Sequence, residues 1–569
     1  MVKKEKERFV RISALLWADI LVAYALFVMQ NYLTEVWGIS LVHAALILNI
    51  WNGVYRMLPV FFLYLVHAFL GNFKLLVLTS LSYTAGITMV AVSTPPLAHA
   101  TGTCKRYKPE CVGSAQKGLL IAGLALIAVG VAGNLISVKP FLLQQRAGGS
   151  SHNSASGSST ATASAARKAE PHQLLGLIGV VVVGIAGAIA LPYIRPRTLK
   201  FGIPAICTAF GTFLFLTGSR GYKKDRQVKE SPLCIVCRVL VAASLKSFRS
   251  YPDGNDRYHG YSDDNRFTTT RCLRGLEKAA IILPGDDTQR SKSWMLCTVA
   301  EVEETKIAVR MVPMWMTFIV CGIVAAIGDT YFVEQAGKLN RNIGTLRLPI
   351  QVLLLVRRSV KDHLNIVVKW LLKCIRRDIS PSLGIALGMI CSILCCITAA
   401  LVERKRLSVV ISHGLLDQPD AQIKMSVYWL LFQFVLLGGL ESFLEKSVSA
   451  YYRDQSPRSM ENYLVNFIQG VTGLGYMCSA LSVYVVGKIS ERGGKTNWFQ
   501  HTLNRSRLDR YYWVLTSLST ANLVVFVFVA SFYRYKKPIG EGEEGPDAGG
   551  GYTDGYIEGD QNRSCPCFC

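Results

Sequence analysis

The residue in this chain that most invites chemistry is Glu441, set in the string GGLESF (Gly438 to Phe443) inside an apolar run. An acid in the middle of a lipid-length segment is costly, with insertion scales putting a central Asp at roughly 2.5 to 3.5 kcal/mol. Such acids are kept where they line a solute or ion pathway. Polar strings follow it closely: YYRDQSP (Tyr451 to Pro457), then RGGKTNW through LNRSRLDRYYW (Arg492 to Trp513). Asp329, in VAAIGDTYF, is a second acid within an apolar stretch, suited to lining a cavity or to a salt bridge with a loop. No Gly-rich phosphate loop, GxSxG or HExxH string is present, so the sequence offers no hydrolase, kinase or metalloenzyme chemistry and implies no cofactor and no metal.

The elements that must hold these acids are membrane spans. The chain has 569 residues, 51% hydrophobic against 18% charged, and a mean hydropathy of +0.30. A soluble chain of this length would carry more charge on several domains. Apolar residues come instead in runs of about twenty, the length that crosses a hydrocarbon core of ~30 Å. About twelve spans are predicted, near 12–36, 40–70, 73–95, 117–144, 173–194, 201–218, 311–333, 345–371, 382–402, 424–446, 460–487 and 511–533. The eighth is irregular on paper, because Arg357, Arg358, Lys361 and Asp362 interrupt it. Its middle must face protein or water, or the span is shortened. The expected architecture is an all-α membrane protein of two six-helix bundles, residues 12–218 and 311–533, about a hydrophilic centre at 219–310. Such carriers hold their site between the halves near the bilayer midplane.

The basic N-tail (residues 1–11), the central stretch and the YRYKK string (Tyr533 to Lys537) are expected in the cytosol by the positive-inside rule. Loops on the other side also carry Lys105, Arg106 and Lys108, so the bias is weak. The net charge of +24 is in part a membrane-surface signal. No aromatic-interleaved basic module accompanies it, so no nucleic-acid partner is expected. Residues 146–172 read as a Ser/Ala/Gly-rich linker and 534–569 as a disordered cytosolic tail. Ser231 to Phe248 suits an amphipathic helix on the inner membrane face. Cys104 and Cys111 share a loop where a disulfide is permitted, though spacing alone fixes no geometry. Asn504 stands in an N-R-S sequon, an acceptor for glycan if it lies outside and clear of the bilayer. Tyr24, Asn49, Trp51 and Trp429 are candidate cavity-lining residues, although aromatics at helical spacing more often pack.

Several motifs in order give the chain a resemblance. Asn49, Trp51, Gly53 and Pro59 form an N-x-W-x-G…P pattern; FGIPA (Phe201 to Ala205), VEQAGKLNRNIG (Val333 to Gly344) and ALVERKRL (Ala400 to Leu407) follow. With YRDQSP and the GGK…W…LNR…LD..YW loop, the chain resembles the plant nitrate transporter 1/peptide transporter family. That family is the eukaryotic branch of the proton-coupled oligopeptide transporters in the major facilitator superfamily. The resemblance spans about residues 12 to 537. It implies alternating access to a small solute, with protons as a possible second partner.

The departures from the family bear on mechanism. Family members typically carry Glu-x-x-Glu-Arg in the first span; Leu15, Ala18 and Asp19 stand there instead. The loop after span two has His67 and Asn72 where an acid and an arginine are usual, and a nitrate-contacting histidine found in some relatives aligns with Ala325. The span-four lysine position is Leu135, leaving Lys139 one turn on as the cation to replace it. Proton coupling needs a carboxylate whose proton affinity changes as a cation comes and goes. By the resemblance, Glu441 is that acid and Lys139 its partner, if a helical turn is absorbed. Alternatively Glu441 hydrogen-bonds within the bundle and Lys139 snorkels to the inner face. Asp19 and Arg56, in neighbouring spans, form a replacement ion pair or each face a watery cavity.

The leading expectation is a multi-pass carrier of a small polar or anionic solute, with the usual first-span coupling motif lost. The alternative is a non-transporting sensor or scaffold that keeps the carrier fold. An enzyme is not expected. The host bilayer is the plasma or the vacuolar membrane.

Overall fold

The protein is seen as a computed structural model that describes residues 2–94, 113–146, 171–194, 197–224, 232–249, 251, 258–259, 273–282, 296–375, 380–455 and 461–532. Cys104 and Cys111, most of the linker and the C-terminal tail lie outside the described residues.

Two compact units are distinguished; the first takes in Met1–Lys229, Trp315–Val448 and Val465–Val524, and the second includes Glu230–Met314. The helices up to the centre are α1 (Val2–Phe27), α2 (Met29–Glu35), α3 (Leu41–Leu65), α4 (Gly71–Val92), α5 (Ser114–Arg146), α6 (Pro171–Ala190) and α7 (Arg197–Thr217). In the centre lie α8 (Pro232–Leu245) and α9 (Val299–Arg310). Then come α10 (Val312–Asp329), α11 (Tyr331–Lys338), α12 (Gln351–Ile375), α13 (Pro381–Ser412), α14 (Leu431–Gln455), α15 (Glu461–Ser490) and α16 (Leu508–Phe532). Among the described residues nine stretches are long and apolar enough to cross a membrane, and one of them, Leu41–Val92, holds both α3 and α4. Adding the uncharged α6, of 20 residues, and the charged α12 gives twelve membrane-length helices.

Local chemistry explains several boundaries. Ser40 caps α3 by accepting from His43 N, and Ser380 caps α13 ahead of Pro381 at its first turn. Between α3 and α4 the chain makes one π turn, Val66–Leu70, and reverses at Gly71 with φ +68°, a conformation that favours glycine. The helix α1 starts at Val2, so the expected N-tail forms its first turns. The eighth span takes the first of its alternatives: α12 is an unbroken helix of 25 residues whose middle faces protein at Arg357. Its charges do not break it because Arg357 is buried among partners on other helices.

In the N-terminal bundle, α4 packs on α5 and α7, α3 on α5, and α1 on α6 and α7. The α4–α5 contact is close because glycines remove side chains from it: a Cβ added at Gly86 would meet Gly123 O at 2.7 Å. One end of this bundle is closed by Phe73, Phe141, Phe215 and Tyr222, with the Phe215 and Tyr222 rings stacked at 5.4 Å. The two bundles meet through α12 against α1 and α6, and α11 against α2.

At the α2/α11 end, short strands finish the first unit. Leu339–Asn340 (β1) pairs in parallel with Ile423–Ser426 (β4). Asn342–Ile343 (β2) and Leu346–Arg347 (β3) form an antiparallel hairpin turning at Gly344, φ +59°.

The second unit has a core of its own, with Val239, Ala242 and Ala243 of α8 packed on Ala279, Ala280, Val299 and Val302. Lys306 is 1% exposed and lies 2.8 Å from Glu277 and 2.7 Å from Glu303, so its burial is compensated. The opposite face of α8 is apolar and exposed at Leu240, Val241 and Leu245, with Phe248 just beyond its end.

Candidate functional site

Four charged side chains and one tyrosine of the first unit converge from five helices. Arg357 on α12 donates from Nε to Glu441 at 3.2 Å and from Nη2 to the same carboxylate at 2.5 Å. Its Nη1 donates to Asp329 of α10 at 2.5 Å. The second oxygen of Asp329 accepts from the Tyr476 hydroxyl of α15 at 2.7 Å. That hydroxyl in turn accepts from Arg56 of α3 at 3.2 Å, and the Arg56 guanidinium lies over the Tyr476 ring at 4.5 Å. The chain of contacts therefore runs Arg56–Tyr476–Asp329–Arg357–Glu441, from the N-terminal bundle into the C-terminal one.

Its charges balance. Two guanidiniums face two carboxylates, which is the condition for burying ions without prohibitive desolvation. Arg357 is 4% exposed and Tyr476 is fully buried, while the Asp329 and Glu441 side chains keep a fifth of their surface. Glycines let the helices close around the network. A Cβ at Gly438 would lie 2.7 Å from Arg357 O, so α14 can carry Glu441 up to α12 only without a side chain there. Further along α12 and α14, Lys361 and Glu445 pair at 2.7 Å, both partly exposed.

These contacts revise the expected pairings. Glu441 meets Arg357 rather than Lys139, which lies on the exposed surface of α5. Asp19 and Arg56 do not pair: Asp19 accepts from Tyr83 of α4 at 2.8 Å, and Arg56 turns to Tyr476. Asp329 is bound to residues of neighbouring helices, not to a loop. Arg357 is the member that sequence reasoning missed as a partner. Its signal in the sequence is an arginine inside an otherwise apolar span.

The candidate lining residues divide. Tyr24 is 1% exposed between α1 and α6, with the Arg358 guanidinium 5.3 Å from its ring centre. Trp51 packs on the bundle core and donates its indole N–H to Leu124 O at 2.7 Å. Trp429 is exposed and stacks under Lys405, 3.5 Å away. Asn49 lines a cavity of about 910 Å³ between α3 and α15 and donates to Ser479 at 3.5 Å.

A second buried polar cluster gathers three sequence motifs at one place. Arg406 donates to both oxygens of Glu403 at 2.7 Å, to Asn504 Oδ1 at 3.0 Å and to Leu503 O at 3.0 Å. Gln335 donates to Glu403 at 2.7 Å. Nearby, Thr34 of α2 donates to Glu334 of α11 at 2.8 Å. The sequon residue Asn504 is packed into this cluster. Its side chain is 3% exposed, accepting from Arg406 while its amide donates to Leu415 O at 2.9 Å.

Comparison with known proteins gives a consistent result. A model described as the POT family matches residues 177–499. The Arabidopsis thaliana protein NRT1/PTR FAMILY 5.5 is 33% identical over 538 residues, covering 92% of this chain and 96% of its own. NRT1/PTR FAMILY 5.4 of the same plant is 28% identical, over 89% of this chain and 90% of its own. A crystal structure of an auto-inhibited POT family peptide transporter shares the fold, with a TM-score of 0.64 at 14% identity. It covers 94% of this chain and 99% of its own.

Proposed function

We propose, from the premise that this chain belongs to the POT family of membrane transporters, that it moves a small polar or anionic solute by alternating access without the usual first-span coupling acids. It is a multi-pass integral membrane protein and not an enzyme. The observation that carries the reading is the shared guanidinium of Arg357, held at once by Asp329 and Glu441 in the C-terminal bundle and linked through Tyr476 to Arg56 of the N-terminal one.

The arrangement gives Glu441 an exchangeable role. While ionised, it takes two of the five donors that an arginine fork offers. A proton arriving from solvent at Glu441 cancels its charge, and Arg357 then keeps Asp329 as its one anionic partner. The freed donors of Arg357 can bind an anionic group of a solute in place of Glu441. Loss of the proton returns Glu441 to Arg357 and expels the solute. Coupling thus rests on one acid in the C-terminal bundle. Asp19, held by Tyr83, takes no part.

The host bilayer in this reading is the plasma or vacuolar membrane, tested by imaging a tagged full-length chain. Transport is tested in oocytes or proteoliposomes at two external pH values, with nitrate, chloride, dipeptides and plant hormones. Flux that depends on pH and vanishes in Glu441→Gln is expected. Flux indifferent to pH and to that substitution would make the protein a uniporter with a structural Glu441. A protein that reaches the surface and moves none of the panel would favour the sensor or scaffold alternative.

A further inference from the structure

Between the bundles, at the α2/α11 end, lies a cavity of about 840 Å³ that the transport scheme above does not use. Its lining is mixed. Tyr32, Leu191, Phe201 and Ile350 give it apolar walls, while Arg341, Arg347 and Lys200 bring positive charge. One acid, Glu35, also lines it, and this residue already pairs with Lys338 at 3.6 Å.

The two arginines are set by the β2–β3 hairpin. Arg347 is paired in register with Asn342, and Leu348 N donates to Arg341 O at 2.7 Å. The Tyr193 hydroxyl, from the other bundle, donates to Arg347 O at 2.6 Å and holds the hairpin against the cavity. Neither arginine forms an ion pair with a described residue, and the buried Nε of Arg341 has no hydrogen-bond acceptor. Burial first, and then the charge of Arg347, hold the Arg341 guanidinium below its ordinary pKa, so two like charges stand together on the cavity wall. A buried guanidinium N–H without an acceptor is costly and points to a missing anionic partner.

We infer that this cavity is a binding site for an organic anion with a carboxylate at one end and an apolar body. The carboxylate meets Arg341 and Arg347, and the body lies along Tyr32 and Phe201. The volume decides against a bare inorganic ion, since cavities of ~300–1,000 Å³ hold ligands of drug size. The site goes beyond the carrier reading, because it is defined by equilibrium binding whether or not the bound molecule is moved.

The test is calorimetric titration of the full chain in lipid nanodiscs with 4-phenylbutyrate, its neutral analogue 4-phenylbutan-1-ol, and sodium nitrate. Saturable binding of phenylbutyrate is expected, with the alcohol weaker by roughly tenfold or more, as loss of a charge-assisted pair implies. Nitrate is expected to compete only weakly. Arg341→Gln and Arg347→Gln should each weaken phenylbutyrate by about tenfold, Arg341→Lys by less, and Lys139→Gln, on the exposed surface of α5, not at all. Equal binding of acid and alcohol would overturn the inference. So would affinity unchanged in the Arg341→Gln/Arg347→Gln double variant, or lost in Lys139→Gln, or nitrate binding as tightly as phenylbutyrate. Absence of phenylbutyrate binding to a chain that still melts cooperatively would overturn it too. Transport failure with binding intact would count only against the carrier scheme.

Discussion

Arg56 and Tyr476 hold α3 to α15 twice over, by a hydrogen bond of 3.2 Å and by a guanidinium stacked 4.5 Å from the ring centre. The first contact needs the hydroxyl and the second only the ring. A cation over a desolvated aromatic face contributes about 2 kcal/mol or more by itself.

Tyr476→Phe separates the two. It keeps the stacking but removes the oxygen that accepts from Arg56 and donates to Asp329. We expect a loss of about 1–3 kcal/mol in thermal unfolding of the purified protein. Arg56→Leu, which removes both contacts, should cost more. Equal melting of Tyr476→Phe and the parent chain would show that the hydroxyl is not the link described.

Arg357→Leu leaves two carboxylates facing the single guanidinium of Arg56. Breaking a buried pair from one side costs about 3–5 kcal/mol, so a large drop in melting temperature is expected. Adding Glu441→Gln to that variant, which leaves Arg56 against Asp329, should restore stability without restoring flux. A double variant no more stable than Arg357→Leu would refute the charge-balance account.

Asn504 should carry no glycan. Treatment of the protein from a eukaryotic host with an endoglycosidase is expected to leave its electrophoretic mobility unchanged. Asn504→Ala should destabilise it by ~1–3 kcal/mol, since Arg406 loses one of its buried acceptors. A mobility shift on deglycosylation that Asn504→Ala abolishes would contradict the buried geometry.

The cysteines of the second unit should differ in reactivity. Cys297 is 1% exposed, and burial raises its thiol pKa, so the reactive thiolate is scarcer at any given pH. Cys237 is exposed. In a chain where only one of the two is retained, maleimide should label Cys237 quickly and Cys297 slowly, with Cys297 catching up on denaturation. Equal rates in the folded protein would contradict the packed core of that unit.

Which helices exist was readable from the sequence because lipid length and apolar runs are properties of consecutive residues. Which charges meet was not, because pairing depends on helix rotation and crossing. The resemblance offers Lys139 as the partner of Glu441 only if a helical turn is absorbed, with a bond elsewhere in the bundle as the alternative. The crossing of α12 with α14 at Gly438 supplies Arg357 instead. The motifs VEQAGKLN, ALVERKRL and LNR looked like separate signatures. Their members Gln335, Glu403, Arg406 and Asn504 prove to be one hydrogen-bonded cluster. The packing of Asn504 was not readable for the same reason, since a sequon reports residue types but not burial.

The helix α15 touches both bundles through bare backbone. A Cβ at Gly473 would lie 2.7 Å from Gly53 O on α3, and one at Gly475 would lie 2.3 Å from Ile319 O on α10. Interlocking side chains act as teeth, and a helix that has them cannot slide past its neighbour without unpacking. A crossing made of glycine has few teeth, so the rotation of α15 against α3 is set by polar contacts beside it, Arg56 on Tyr476 and Asn49 on Ser479.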